Sequence, residues 1–384
     1  MKKSGLITVS LVFVLSLLGG CGDDSVSTCP CDQSELEELI IALEAQVEAQ
    51  QIEITALQAG LTTVDNRLTT AEGSITTIQS NNALLLHPYI TISSAMINSL
   101  SGPHVIFHDA NLHIRNGSGA TTVINGLGNL LVGYNEAPGS PNRGGSHNFI
   151  VGPEHNYPTY GGFVAGYNNT VSGAYSSVSG GYYNEALGNQ SSVSGGALNL
   201  ANGSVSSVSG GLGNTTIGVY SSVSGGFTNT ASGMYSSIGG GRDNTASGDF
   251  SSVSGGYTNT ASGDFSIVSG GEINTASGEY SSISGGYGNG ATTKYASVSG
   301  GRYNTASGLW SSVSGGISNT TIGVYSSVSG GYTNTASGMY SSVSGGYNNR
   351  ASGISSSISG GSSTSSTVDY EWRACGTYSC TGAP

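Results

Sequence analysis

Charge is scarce in this 384-residue chain: Asp, Glu, Lys and Arg make up 8% of it, and Lys and Arg number 10 against 22 acidic residues. An anionic, Lys-poor chain lacks the clustered positive face that phosphate backbones require, so no nucleic-acid partner is expected. The acidic excess is local, with eleven acidic residues between Gly22 and Asn82 against the single Arg67. Strong helix formers thin out beyond Gly162, where Ser, Thr, Gly, Val and Tyr dominate, and that composition excludes a helical repeat there. The Gly-Gly-x-Gly-x-Asp phrase of calcium-binding solenoids is absent and Asp243, Asp249 and Asp264 are isolated, so calcium is not expected. Histidine is confined to His87, His104, His108, His113, His147 and His155. His104 and His108 share a face of a strand or a helix, but His113 breaks either register; these side chains read as polar turn or surface residues, with no metal site. A catalytic serine is one residue beside a matching base, whereas serine here recurs in near-identical copies, so the chain does not read as an enzyme and needs no cofactor.

Glycine is abundant (63 residues), and so is repetition. From Tyr175 to Ser362 one phrase of fifteen residues recurs, close to Tyr-Ser-Ser-Val-Ser-Gly-Gly-Tyr-Thr-Asn-Thr-Ala-Ser-Gly-x, and its aliphatic centre falls at thirteen positions from Val178 through Val253 to Ile358. A short fixed period means stacked coils. The spacing predicts an all-β parallel β-solenoid, a β-roll whose equivalent residues lie about 4.8 Å apart along the axis. Val or Ile on one strand and Ala on the other face a thin interior. Gly-Gly after each centre is read as one turn, and a second Gly, replaced once by Thr293, as the other. Asn stands six residues after the centres, from Asn184 to Asn349, which predicts an Asn ladder at a turn, tolerant of left-handed backbone. Three residues before the centres runs an aromatic column: Tyr175, Tyr220, Tyr235, Phe250, Phe265, Tyr280, Tyr295, Trp310, Tyr325 and Tyr340. It is a candidate for burial between chains or for an exposed binding stripe.

The amino-terminal pattern differs. Lys2, Lys3, an apolar run from Leu6 to Leu18 and then Leu18-Gly19-Gly20-Cys21 match a bacterial lipobox. This predicts a signal peptide over 1–20, lipidation at Cys21 and, with Gly22 after the Cys, a surface-exposed lipoprotein of the outer membrane. Cys29 with Cys31 and Cys375 with Cys380 are disulfide candidates, the first pair between chains and the second across a small terminal loop. After a linker over 21–33, apolar residues recur in steps of four and three from Leu36 to Ile78, with Gln50 the one polar core position. That heptad predicts a coiled-coil stalk over 34–80. Arg67-Leu68-Thr69-Thr70-Ala71-Glu72 fits a trimer signature in which Arg67 and Glu72 pair between helices and Leu68 and Ala71 fill the core, so a homotrimer is expected.

Residues 81–162 have no fixed period and are read as an adaptor. Leu130-Leu131-Val132-Gly133, Phe149-Ile150-Val151-Gly152 and Phe163-Val164-Ala165-Gly166 nevertheless echo the phrase, as degenerate first coils. The main array is placed at 163–362, and residues 363–384, which depart from the phrase, are read as a cap or tip. From Leu130 to Gly361, through Ser177-Val178-Ser179-Gly180-Gly181 and its copies, the chain resembles trimeric autotransporter adhesins with YadA-like heads. The resemblance implies left-handed parallel β-rolls of three chains. Two features depart from that family: no membrane β-barrel anchor is read in the chain, and the stalk precedes the head. A lipid on Cys21 would serve as the anchor instead.

These readings predict a trimeric fibrous rod on the bacterial cell surface, a spacer or an adhesin for surfaces, glycans or cells, tied to the membrane by its lipid. The alternative is an ice-binding β-solenoid. Thr215, Thr230, Thr245, Thr260, Thr275, Thr305, Thr320 and Thr335 form a column two residues from a Ser column, with Ile217 and Ile322 intruding.

Overall fold

The computed structural model of the protein describes residues 33–80, 89–136, 139 and 141–374, in two compact units that divide between Asn111 and Leu112. The first unit holds helix α1 (Gln33–Gln79) and an antiparallel hairpin of β1 (Ile90–Ser93) and β2 (His104–Phe107). Helix α1 forms where Ala, Leu, Glu and Gln are dense. Its threonines donate to carbonyls one turn back, as Thr55 does to Gln51 at 2.8 Å and Thr62 to Gln58 at 2.9 Å, and so leave the helical ladder intact. The heptad seam lies open in the single chain, with Ile40, Val47, Leu61 and Leu68 50–70% exposed.

The second unit contains the all-parallel β-solenoid, whose strands run from Leu130 to Arg373. Each regular coil gives a two-residue strand to each of two ladders. One carries the aliphatic centre, as in Ser207–Val208 against Ser222–Val223; the other carries the Thr-Ala pair, as in Thr245–Ala246 against Thr260–Ala261. A third ladder of single-residue bridges joins residues four after the centres, from Tyr182 with Ala197 to Tyr347 with Ser362. The expected early coils are present: Leu131 pairs with Ile150, Ile150 with Val164, and Val164 with Val178.

The fourteen-residue step in those early coils shows what the second glycine does. Gly152, Gly166, Gly181 and Gly196 form one column, with φ between 78 and 103°, and a Cβ on any of them would lie 2.0–2.3 Å from the next coil's glycine carbonyl. Gly180 and Gly195, the first glycines of their pairs, have no counterpart in the shorter coils, and a Cβ there would meet nothing within 4 Å. The crowding that requires glycine falls on the second of the pair; the first stands in open space, and only at Gly240, Gly270 and Gly360, with φ of 158–159°, does its backbone favour glycine.

Left-handed backbone also falls elsewhere than expected. It is adopted by the residue before each Asn, such as Thr258 (φ 54°) and Ile273 (φ 58°), and by the aromatic column, with Tyr235 at 57° and Phe265 and Trp310 at 59°. These are the two corners of the coil. Each is followed by an inward polar residue, Asn at one corner and Ser at the other, and then by outward, inward and outward residues. The fifteen-residue coil is therefore two similar halves of seven and eight residues, the longer one carrying the additional glycine.

The expected Asn ladder holds the coils together. Asn259 is fully buried; its Oδ1 accepts from the Asn274 N–H at 3.0 Å, and its amide nitrogen donates to the Gly255 and Gly271 carbonyls at 3.0 and 2.8 Å. Its own backbone N–H donates to Asn244 Oδ1 at 2.9 Å. Around it the interior of that coil is Val253, Ala261 and Ser251, all buried. In two coils Thr replaces Ala, and Thr216 donates to Ser206 and Thr321 to Ser311 across the interior, both at 2.9 Å. Ser251, facing Ala261, has no such partner among the described residues.

Asn259→Ala strands the buried Asn274 N–H and the Gly255 carbonyl, so chemical denaturation should register a loss of about 2–4 kcal/mol. Ala261→Thr, which gives Ser251 the partner that Ser206 already has, should stay within about 1 kcal/mol of the parent.

Candidate functional site

The solenoid presents its side chains as columns along its surface. From Tyr220 to Tyr340 nearly parallel rings follow one another with centroids 3.7–6.2 Å apart and interplanar angles of 11° or less. Tyr220, Phe265 and Tyr340 are 49, 41 and 54% exposed. Parallel stacking covers the ring faces and leaves edges and tyrosine hydroxyls outward, so a sugar ring seeking an aromatic face finds one only at the ends of the stack. Edges with hydroxyls, part apolar and part wet, suit contact with protein.

A second aromatic column escaped the sequence reading. It lies four and five residues after the centres and includes Tyr182, Phe227, Tyr257, Tyr303 and Tyr332, each 39–51% exposed. Arg242 sits over Phe227 at 5.3 Å and over Tyr257 at 5.5 Å, and Arg302 over Tyr287 and Tyr303 at 5.2 and 5.1 Å. The column was hidden because its residue type changes from coil to coil, while only its position repeats. The Thr column lies on the outward side of the second ladder, in register through Thr215, Thr230, Thr245, Thr260 and Thr275.

The isolated acids have local partners. Asp249 accepts the Met234 N–H at 2.9 Å and Asp264 the Asp249 N–H at 3.0 Å, each one coil away, and Asp243 pairs with Arg242 at 3.1 Å. His104 and His108 do not converge: His104 reaches the Leu100 carbonyl and His108 the Thr91 hydroxyl. Among the described residues no group of three or more His, Cys, Asp or Glu is placed to hold a metal ion.

His155 corrects the reading of the histidines as turn or surface residues. It is fully buried in the Asn-ladder slot of an early coil, with Nδ1 accepting the Asn169 N–H at 3.1 Å and Nε2 3.0 Å from the Val151 carbonyl. Since Nδ1 accepts, the proton belongs on Nε2. Burial pushes the imidazole pKa below its ordinary 6.5, with the Arg143 charge adding and its backbone bonds opposing.

The last coil inverts the interior. Beyond Gly361 the chain continues for one more turn, pairing Ser365–Ser366 with Arg350–Ala351 and Trp372–Arg373 with Ser357–Ile358. Arg373 takes the Val slot and Glu371 the inward Ser slot; Arg373 Nε donates to Glu371 Oε1 at 2.6 Å, and Ser366 donates to Oε2 at 2.7 Å. Arg373, and after it Ser366, hold the Glu371 carboxyl below the usual range. The last described coil thus carries a half-buried charged pair where the repeat has Ser and Val.

Arg67, Leu68, Ala71 and Glu72 all lie on helix α1, with their side chains exposed in the single chain. Cys21, Cys29, Cys31, Cys375 and Cys380 lie outside the described residues, as do the lipobox and the end of the tip. Neither a protein-family model nor a curated protein matches the chain. The likeness to YadA-like heads therefore stands on the repeat phrase.

Two outcomes follow from the two ends of the ladder. Because the folded-state pKa of His155 is lowered, the stability it contributes is complete above pH 6.5 and drains away as pH falls below it. Denaturation midpoints should drop between about pH 7 and about pH 5. The drop should shrink in His155→Asn, which restores the ladder residue. At the other end, Glu371→Ser with Arg373→Val restores the repeat's own interior, and the mass measured by light scattering should rise through end-to-end association.

Proposed function

We propose that the protein is a bacterial outer-membrane lipoprotein exposed on the cell surface, a homotrimer anchored through acylated Cys21 that acts as a spacer or adhesin toward surfaces, glycans or cells. The solenoid carries this reading: many near-identical coils offer the same few side chains repeatedly, which suits extended contact along a surface better than selection of one small molecule. The lipobox at Leu18 to Cys21 supplies the anchor in this reading, and the open heptad seam of α1 supplies the reason for partner chains. The edge-on ring stack favours a protein ligand over a sugar. Ice binding is the second reading, favoured by the run of in-register threonines from Thr215 to Thr275, and thermal hysteresis of the purified protein tests it.

Metabolic palmitate labelling should mark the wild type and vanish in Cys21→Ser; persistence of label would remove the anchor. Sedimentation equilibrium of residues 33–384 should give a trimer mass. A monomer at micromolar concentration would leave a single-chain solenoid.

A further inference from the structure

In most coils the first glycine of the Gly-Gly pair is unexplained by the chain that contains it. At Gly180, Gly225, Gly255, Gly285 and Gly315 the backbone lies outside the left-handed range and a Cβ would touch nothing closer than 4 Å; only Gly240, Gly270 and Gly360, at φ 158–159°, reach the edge of that range, and a Cβ there also meets nothing. A glycine loses more conformational freedom on folding than any other residue, by roughly 0.5–1 kcal/mol relative to Ala. Yet every regular coil from Gly180 to Gly360 keeps it.

Insertion of this glycine also opens the hydrogen-bonding of the turn. In the shorter coils the Gly152 N–H donates to the Val132 carbonyl and the Gly166 N–H to the Val151 carbonyl, both at 3.1 Å. In the regular coils neither glycine N–H, as at Gly255 and Gly256, finds an acceptor among the described residues, and the carbonyl of the preceding Ser254 receives no donor. The result is a strip without side chains that presents two free donors and one free acceptor per coil, repeated along the array. Beside it runs the second aromatic column, including Tyr257, Tyr303, Ile317 and Tyr332 at 41–48% exposure.

We infer that this glycine strip is the face on which the arrays of neighbouring copies of this chain pack. Glycine without an internal need marks a close approach of another backbone. A strip holding both donors and acceptors complements itself, and only an array with the same coil height can meet it at each coil; a globular protein would match it over a few. The flanking side chains leave roughly 100 Å² each at half exposure. About eight of them come to about 800 Å², one partner's share of a stable interface. The inference rests on the homo-oligomer proposed above and adds which face is buried.

Hydrogen exchange on the full chain in mild detergent tests it, with sedimentation on the same sample. The Gly255 and Gly256 amides, which have no acceptor among the described residues, should exchange at least about ten-fold more slowly than an open amide. Replacing Gly225, Gly255, Gly285 and Gly315 together by Leu should abolish that protection, while the Asn274 amide, bonded to Asn259 within the chain, stays protected. Thr230→Leu with Thr260→Leu, on another face, should change neither. If the wild type sediments as an oligomer and the strip amides exchange freely, or the Leu variant keeps them protected, the face assignment is overturned and the oligomer survives. If the wild type is a monomer, the oligomer falls and the strip with it. Should the Leu variant lose Asn274 protection, the same four positions changed to Ala decide: wild-type exchange at Gly256 overturns the inference, and faster exchange upholds it.

Discussion

One buried carboxamide per coil ties the solenoid together. Through Oδ1 and its amide nitrogen, Asn259 reaches the backbone of its own coil and of the next, and its N–H is held by the coil before. Few other side chains could do this, since the slot needs an acceptor and two donors on a short, neutral stem. An interior built from Val and Ala is too small for apolar burial alone to fix the spacing of coils, so the polar ladder sets it, in a dry environment that strengthens each bond.

That rigidity bears on the corners. Tyr235, Phe250 and Phe265 sit in left-handed backbone, which costs an L-residue roughly 1–2 kcal/mol. Such strain persists where surrounding bonds over-determine the chain, and here the Ser after each ring donates to the Gly two residues before the ring, as Ser236 does to Gly233, while that Gly donates to the next coil. In return the corner aims each ring along the axis, where it stacks on the next. The aromatic column is thus a product of the backbone geometry as much as of the residue type, and any ligand meets ring edges.

The period, the two strands, the inward Val and Ala and the Asn ladder were legible because they recur at constant residue type. What the sequence concealed recurs in position only. The column through Tyr182, Phe227, Arg242 and Tyr257 changes chemistry at nearly every coil, so no pattern of letters exposes it. The two adjacent glycines look alike as letters, and only the crowding at Gly181 and the open space at Gly180 separate them. His155 replaces Asn by supplying an acceptor at Nδ1, a substitution of hydrogen-bonding role that resembles nothing in the repeat. Arg373 in a Val slot was read as departure from the phrase, although the backbone keeps the coil to its end.

Identical coils also create an ambiguity for the folding chain. A strand that docks one whole repeat out of place mostly finds the same Val, the same Ala and the same waiting Asn, so the middle of the array, apart from coils such as those of Thr216 and Thr321, contains little to reject the error. Discrimination must come from coils that are unlike the rest. His155 and the shortened turns at one end are where a slipped alignment would leave a buried polar group unmatched, and at the other end a slip would part the half-buried Glu371–Arg373 pair. The odd coils at the ends are therefore the chain's proofreading marks: they let a sequence that is locally repetitive arrive at a single count of turns.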